Sequence, residues 1–124
     1  MISSPSDSAA ELRSVLLNGS LSPGPLELRA GVAYRARLIN ITKARPGMRL
    51  ELVGASGIVA WRVIAKDGAE LPETRQATGP ARLPISIGET VDVQLTRGEP
   101  EELRLEARAA DGYLLGVMPV RIRD

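Results

Sequence analysis

The sequence predicts an all-β protein, two packed and mainly antiparallel sheets forming a sandwich. Three observations lead there. Short runs alternate apolar and polar residues with the two-residue period of a half-buried strand. Gly, Pro, Asn and Asp break those runs about every eight to twelve residues. No segment shows the three-to-four-residue apolar spacing of a long helix. The 124 residues, 44% apolar and 25% charged, suit one soluble globular domain whose core needs no disulfide or metal staple.

Residues 1–12 are expected to be a flexible leader or cloning remnant, and 13–124 the single domain. Met1 to Glu11 holds four Ser and lacks the apolar run of a signal peptide, and no later run is long enough to cross a membrane. Val15 to Leu17 reads as the first strand, ended by Asn18-Gly19, a tight-turn dipeptide. Ser22 to Pro25 forms a rigid connector, and Leu26 and Leu28 flank Glu27 in a brief alternating segment. From Tyr34 to Ile41, Tyr34, Ala36 and Leu38 face one way and Arg35, Arg37 and Ile39 the other. Met48, Leu50 and Leu52 oppose Arg49 and Glu51 in the same manner. Trp61, Val63 and Ala65 oppose Arg62, Ile64 and Lys66, and Asp67-Gly68 closes that strand with a second tight turn. Ala69 to Pro80 reads as a long polar loop.

Leu83, Ile85 and Ile87 form the next strand, and Val91, Val93 and Leu95 the one after, with Gly88-Glu89 as a hairpin-like connection. Leu103, Leu105 and Ala107 alternate with Arg104, Glu106 and Arg108. The run from Tyr113 to Ile122 closes the chain. Pro119 lies inside it and cannot donate to a ladder, so this strand is expected at a sheet edge or changing partner there. The reading gives eight or nine strands, none of them parallel.

Composition excludes most chemistry. Lys plus Arg is 16 against 15 Asp plus Glu, a net charge of +1 with the signs interspersed, which gives no support to a nucleic-acid or anionic-membrane partner. The aromatic residues are Trp61, Tyr34 and Tyr113, too few for a base-stacking surface. With 0 His and 0 Cys, imidazole-based triads and the usual zinc and electron-transfer copper sites have no ligands. Glu99, Glu101 and Glu102 lack calcium-loop spacing. Met1, Met48 and Met118 read as packing residues. Asp67 reads as turn chemistry, and Asn18-Gly19-Ser20 and Asn40-Ile41-Thr42 match the N-glycosylation pattern only as short motifs. Arg35, Arg37, Arg49 and Arg62, with acids between them, read as a salted surface. The glycines form neither a P-loop nor a dinucleotide fingerprint. No catalytic, metal or cofactor site is therefore expected.

Three blocks carry a family resemblance when taken together and in order: Gly31 to Asn40 (GVAYRARLIN), Trp61 to Pro72 (WRVIAKDGAELP) and Leu83 to Val93 (LPISIGETVDV). Preceded by Asn18-Gly19-Ser20, they resemble the second, plastocyanin-like domain of three-domain multicopper oxidases, the laccase and copper-efflux oxidase group. The resemblance spans about Val15 to Ile122 and implies a cupredoxin fold, a Greek-key β-sandwich. In that family the outer domains supply copper ligands, and the middle domain acts as a spacer. This chain departs from the family's Pro-Gly-Glu-Arg in having Ile87-Gly88-Glu89-Thr90.

The matching residues are expected to be structural: Asn18, Gly19, Tyr34, Arg37, Asn40, Trp61, Asp67, Gly68, Gly88, Glu89 and Asp92. Tyr34 and Leu38 would anchor the core, Asn40 would bond nearby backbone, and Asp67-Gly68 and Gly88-Glu89 would set turns that fix register. The implied role is a copper-free, non-catalytic cupredoxin domain with no cofactor. Its partners would be neighbouring cupredoxin domains or a second copy. The alternative is a sandwich that binds a peptide, glycan or small ligand through the 68–80 loop. A carboxylate enzyme has no paired acids at working spacing. By analogy the compartment is periplasmic or extracellular, although the chain shows no signal peptide.

Overall fold

A computed structural model of the protein describes residues 11–17, 25–40, 47–86 and 88–124. Twelve strands are present among them: β1 Glu11–Leu17, β2 Leu26–Arg29, β3 Ala33–Asn40, β4 Arg49–Gly54, β5 Gly57–Ile58, β6 Ala60–Lys66, β7 Ala69–Glu70, β8 Thr78–Pro80, β9 Arg82–Pro84, β10 Thr90–Thr96, β11 Glu101–Arg108 and β12 Leu114–Arg123. One sheet runs β1-β3-β10-β6-β7, with β8 also on β6. The other runs β2-β12-β11-β4-β5, with β9 also on β4. The chain crosses repeatedly between the sheets, so each strand lays its alternate apolar residues onto a shared core. Leu38, Trp61 and Val93 from the first sheet meet Leu50, Leu105 and Met118 from the second, all buried. Between the sheets lies a cavity of about 40 Å³, lined only by apolar side chains that include Leu28, Tyr34, Trp61 and Met118.

The all-β sandwich agrees with the alternation, and five details differ from the sequence reading. The first strand begins at Glu11, not Val15. Two pairings are parallel: β1 on β3, with Glu11 opposite Tyr34, and β2 on β12, with Leu26 opposite Val120. Both kinds of ladder give a period of two, so alternation cannot separate them. The stretch read as a long loop after Asp67-Gly68 holds β7, a 3-10 turn at Glu73–Arg75 and β8, with β7 and β8 both folded back onto β6. Those elements and the two-residue β5 raise the count to twelve, because strands this short show no period. Gly88-Glu89 does not close a hairpin: β9 pairs with β4 and β10 with β3 and β6, so it lies on a crossing between sheets.

The fifth difference is a bulge. Asp92 pairs with Ala65 but the next residue, Val93, pairs with Val63, which leaves Ile64 as an extra residue on β6. Ile64 is buried, against its expected solvated position. Pro119 sits where β12 changes neighbours. It faces Arg104 of β11 on one side, while β2 covers the other side only from Val120 onward, so its missing N–H removes no ladder bond to β2.

Candidate functional site

The polar chemistry gathers on the outer faces of the two sheets, around carboxylates that are almost wholly covered. On the first sheet, Asp92 projects outward between the buried Val91 and Val93 and is only 1% exposed. Its cross-strand partner is Arg37. The Arg37 Nε donates to Oδ1 at 2.9 Å and Nη2 to Oδ2 at 3.2 Å, a two-point grip, while the Arg35 Nε reaches Oδ2 at 3.0 Å. Arg35 also bonds Glu70 of β7, tying the folded-back segment to β3. Burial alone would lower the Arg35 pKa, but its bonds to Glu70 and Asp92 outweigh that and raise it. The bond to Asp92 raises that of Arg37.

On the second sheet, Glu51 of β4 and Glu106 of β11 stand directly opposite one another, each 6% exposed. Two facing carboxylates would repel. Arginines surround them instead. The Arg49 Nε donates to Glu51 Oε2 at 2.9 Å and the Arg82 Nε to the same oxygen at 3.1 Å. Glu106 accepts from the Arg104 Nε at 3.1 Å and from Arg108 at 3.0 and 2.9 Å. The Arg49 bond is the main reason that the Glu51 carboxyl titrates below its usual range; burial opposes it and Arg82 reinforces it. The source is an Arg-x-Glu spacing on neighbouring strands, Arg49-Leu50-Glu51 and Arg104-Leu105-Glu106, which puts each pair on one face two residues apart.

The remaining residues singled out from the sequence fall in the core or at turns. Tyr34 and Trp61 are buried, and the Tyr34 hydroxyl accepts from the Arg29 N–H at 2.9 Å. Asp67 and Gly68 have φ of 51° and 83° and form the two-residue turn between β6 and β7, both in the left-handed region that Asp tolerates and Gly favours. Asp67 also clamps β10: its Oδ1 accepts from the Thr90 N–H at 3.0 Å, and its own N–H donates to the Thr90 carbonyl at 2.7 Å. Gly88 has a φ of 81°. Beside it, Glu89 Oε1 accepts from the Ser86 N–H at 2.6 Å and Oε2 pairs with Lys66 at 2.9 Å; these contacts, the Ser86 N–H first, hold the Glu89 pKa down. Asn40 ends β3 opposite Leu17. Asn18, Gly19 and the Asn40 side chain lie outside the described residues. The structure thus joins Arg37 with Asp92 in one cluster, and Asp67, Gly68, Gly88 and Glu89 around one end of β6. Glu51, Glu106, Arg82, Arg104 and Arg108 were not singled out, although the Arg-x-Glu spacing of Arg49-Glu51 and Arg104-Glu106 was visible.

Copper does not fit this donor set. The chain has neither His nor Cys, and Met48 and Met118 are buried in the core. Among the described residues no three acidic side chains are grouped as a metal site would need, and no helix is long and apolar enough to cross a membrane.

No family profile and no curated protein matches the chain. Solved structures do. A multicopper oxidase from Pediococcus acidilactici superposes with a TM-score of 0.68 at 8% identity, covering 95% of this chain and 27% of that one. The multicopper oxidase from Campylobacter jejuni, a metallo-oxidase, gives 0.67 at 9% identity, covering 100% and 32%. The McoA multicopper oxidase of Aquifex aeolicus gives 0.64 at 12% identity, covering 96% and 30%. The chain therefore spans a third or less of the length of each. At this identity the likeness is one of fold, and the fold of this chain is that of a cupredoxin-like domain of a multicopper oxidase.

Proposed function

We propose that the chain is a copper-free, non-catalytic cupredoxin domain, of the kind that stands second in a three-domain multicopper oxidase, and that it works by holding neighbouring domains in place. One observation carries this: a sandwich with the shape of a copper-oxidase domain has no imidazole or thiolate anywhere in its sequence. Its buried polar groups serve the fold instead, since Asp92, Glu51 and Glu106 are each saturated by arginines. Because the chain covers a third or less of those oxidases, the remaining length would supply the metal chemistry. An exported compartment, periplasmic or extracellular, goes with that role.

The test is association in trans with separately produced flanking cupredoxin domains, followed by sedimentation. A complex that survives replacement of the exposed Glu73, Thr74 and Arg75 by Ser is the expected result. Loss of the complex in that triple variant assigns recognition to the 68–80 segment instead, and a chain that stays free in every mixture contradicts the reading.

A further inference from the structure

The outer face of the second sheet carries more than its fold requires. Its centre presents four arginines, Arg49, Arg82, Arg104 and Arg108, around two glutamates, Glu51 and Glu106, a local excess of two positive charges in a chain whose net charge is +1. Every cation in this group is Arg, the side chain suited to two-point carboxylate recognition. Arg82 and Arg104 spend only their Nε on Glu51 and Glu106 among the described residues, and their side chains are 56% and 52% exposed. Both guanidiniums therefore hold their outer N–H edges toward solvent, fixed in direction by a buried carboxylate beneath.

An apolar strip runs beside them along β12. Leu114 lies opposite Arg108, Val117 opposite Glu106 and Pro119 opposite Arg104, so each belongs to the same outer face. Tyr113 and Leu114 are the large apolar residues most exposed on the described surface. Arg108 braces this corner by donating from Nη1 to the Gly112 carbonyl at 2.7 Å. Aligned arginines next to exposed Tyr and Leu have the composition of a protein contact patch.

We infer that this face docks an acidic polypeptide segment of a partner protein, its carboxylates meeting Arg82 and Arg104 and an apolar side chain resting on Tyr113 and Leu114. The inference rests on the docking role proposed above and names the chemistry of the partner. Charge complementarity sets the choice, since an excess of guanidinium over carboxylate on a rigid sheet attracts anionic chain and repels cationic chain.

The probe is a fluorescent peptide of alternating Glu and Leu, titrated with the intact protein and read by anisotropy. Saturable binding is expected that weakens with salt. The double variant R82Q and R104Q should lose at least about tenfold in affinity, roughly 1.4 kcal/mol. Y113S with L114S, which leaves the arginine network intact, should lose severalfold, and R75Q, which removes one positive charge on the 3-10 turn beside the other sheet, should bind as the parent does. Melting curves confirm that each variant is folded. Equal weakening by R75Q, unchanged binding in R82Q and R104Q, or equal binding of a Glu-Ser peptide would overturn the inference. So would a homodimer that R82Q and R104Q dissolve, which would make the occupant a second copy. If flanking domains still assemble with the R82Q and R104Q variant, this inference fails and the docking role stands.

Discussion

Asp92 shows how one residue joins sequence spacing to stability. Its position between Val91 and Val93 puts it on the outer face, yet two arginines of the adjacent strand cover it almost completely. Asp92→Ala removes three charge-assisted bonds, but Arg35 and Arg37 are about a third exposed and can rehydrate, so a loss of about 2–3 kcal/mol is expected in urea unfolding. Asp67 works at the same scale. Replacing it by Ala deletes the bond from the Thr90 N–H and puts a less tolerant residue at positive φ, for an expected loss of about 1 kcal/mol; Gly68→Ala should cost about 1–2 kcal/mol. A melting temperature unmoved by Asp67→Ala would remove its structural role. The turn was legible because Asp-Gly has a backbone reason to be where it is. The covering of Asp92 was not, because it depends on which strand lies next to β10.

At the scale of elements, alternation located every long strand and failed where geometry breaks the period. Ile64 is the clearest case: a pattern of two put it outside and exposed with Arg62 and Lys66, whereas it is the extra residue of the bulge and is buried. Ile64→Ala should therefore cost about 2–4 kcal/mol, as for a buried side chain, whereas an exposed Ile64 would cost little. The parallel pairs β1-β3 and β2-β12 were invisible for another reason, since strand direction is settled by crossings between sheets and not by side-chain order. The facing pair of β4 and β11 gives a pH dependence. Because the folded Glu51 carboxyl titrates lower than in the unfolded chain, its contribution is complete above the unfolded value and is lost as pH falls through the folded one. Stability should decline on acidification below the usual carboxylate range, and Glu51→Gln should flatten that decline while lowering stability at neutral pH. An acid limb identical in the two proteins would contradict the role of the Arg49 and Arg82 bonds.

For the molecule as a whole, the fold class was legible because turn dipeptides and strand periods recur along nearly the whole chain, and the family resemblance because three blocks, Gly31 to Asn40, Trp61 to Pro72 and Leu83 to Val93, match in order; the superposition on multicopper oxidases agrees with both. The arginine-glutamate face was less so: Arg49, Glu51, Arg104, Glu106 and Arg108 each read as solvated positions, and only the pairing of β4 with β11 assembles them. The chemistry of the molecule then turns on what it lacks in donors. A copper titration of the purified protein, following Trp61 fluorescence and visible absorbance while counting metal per chain after desalting, tests this most directly. The account predicts no retained copper and no charge-transfer band. Stoichiometric copper that survives desalting would contradict it and would require a site built from thioether, carboxylate or the amino terminus.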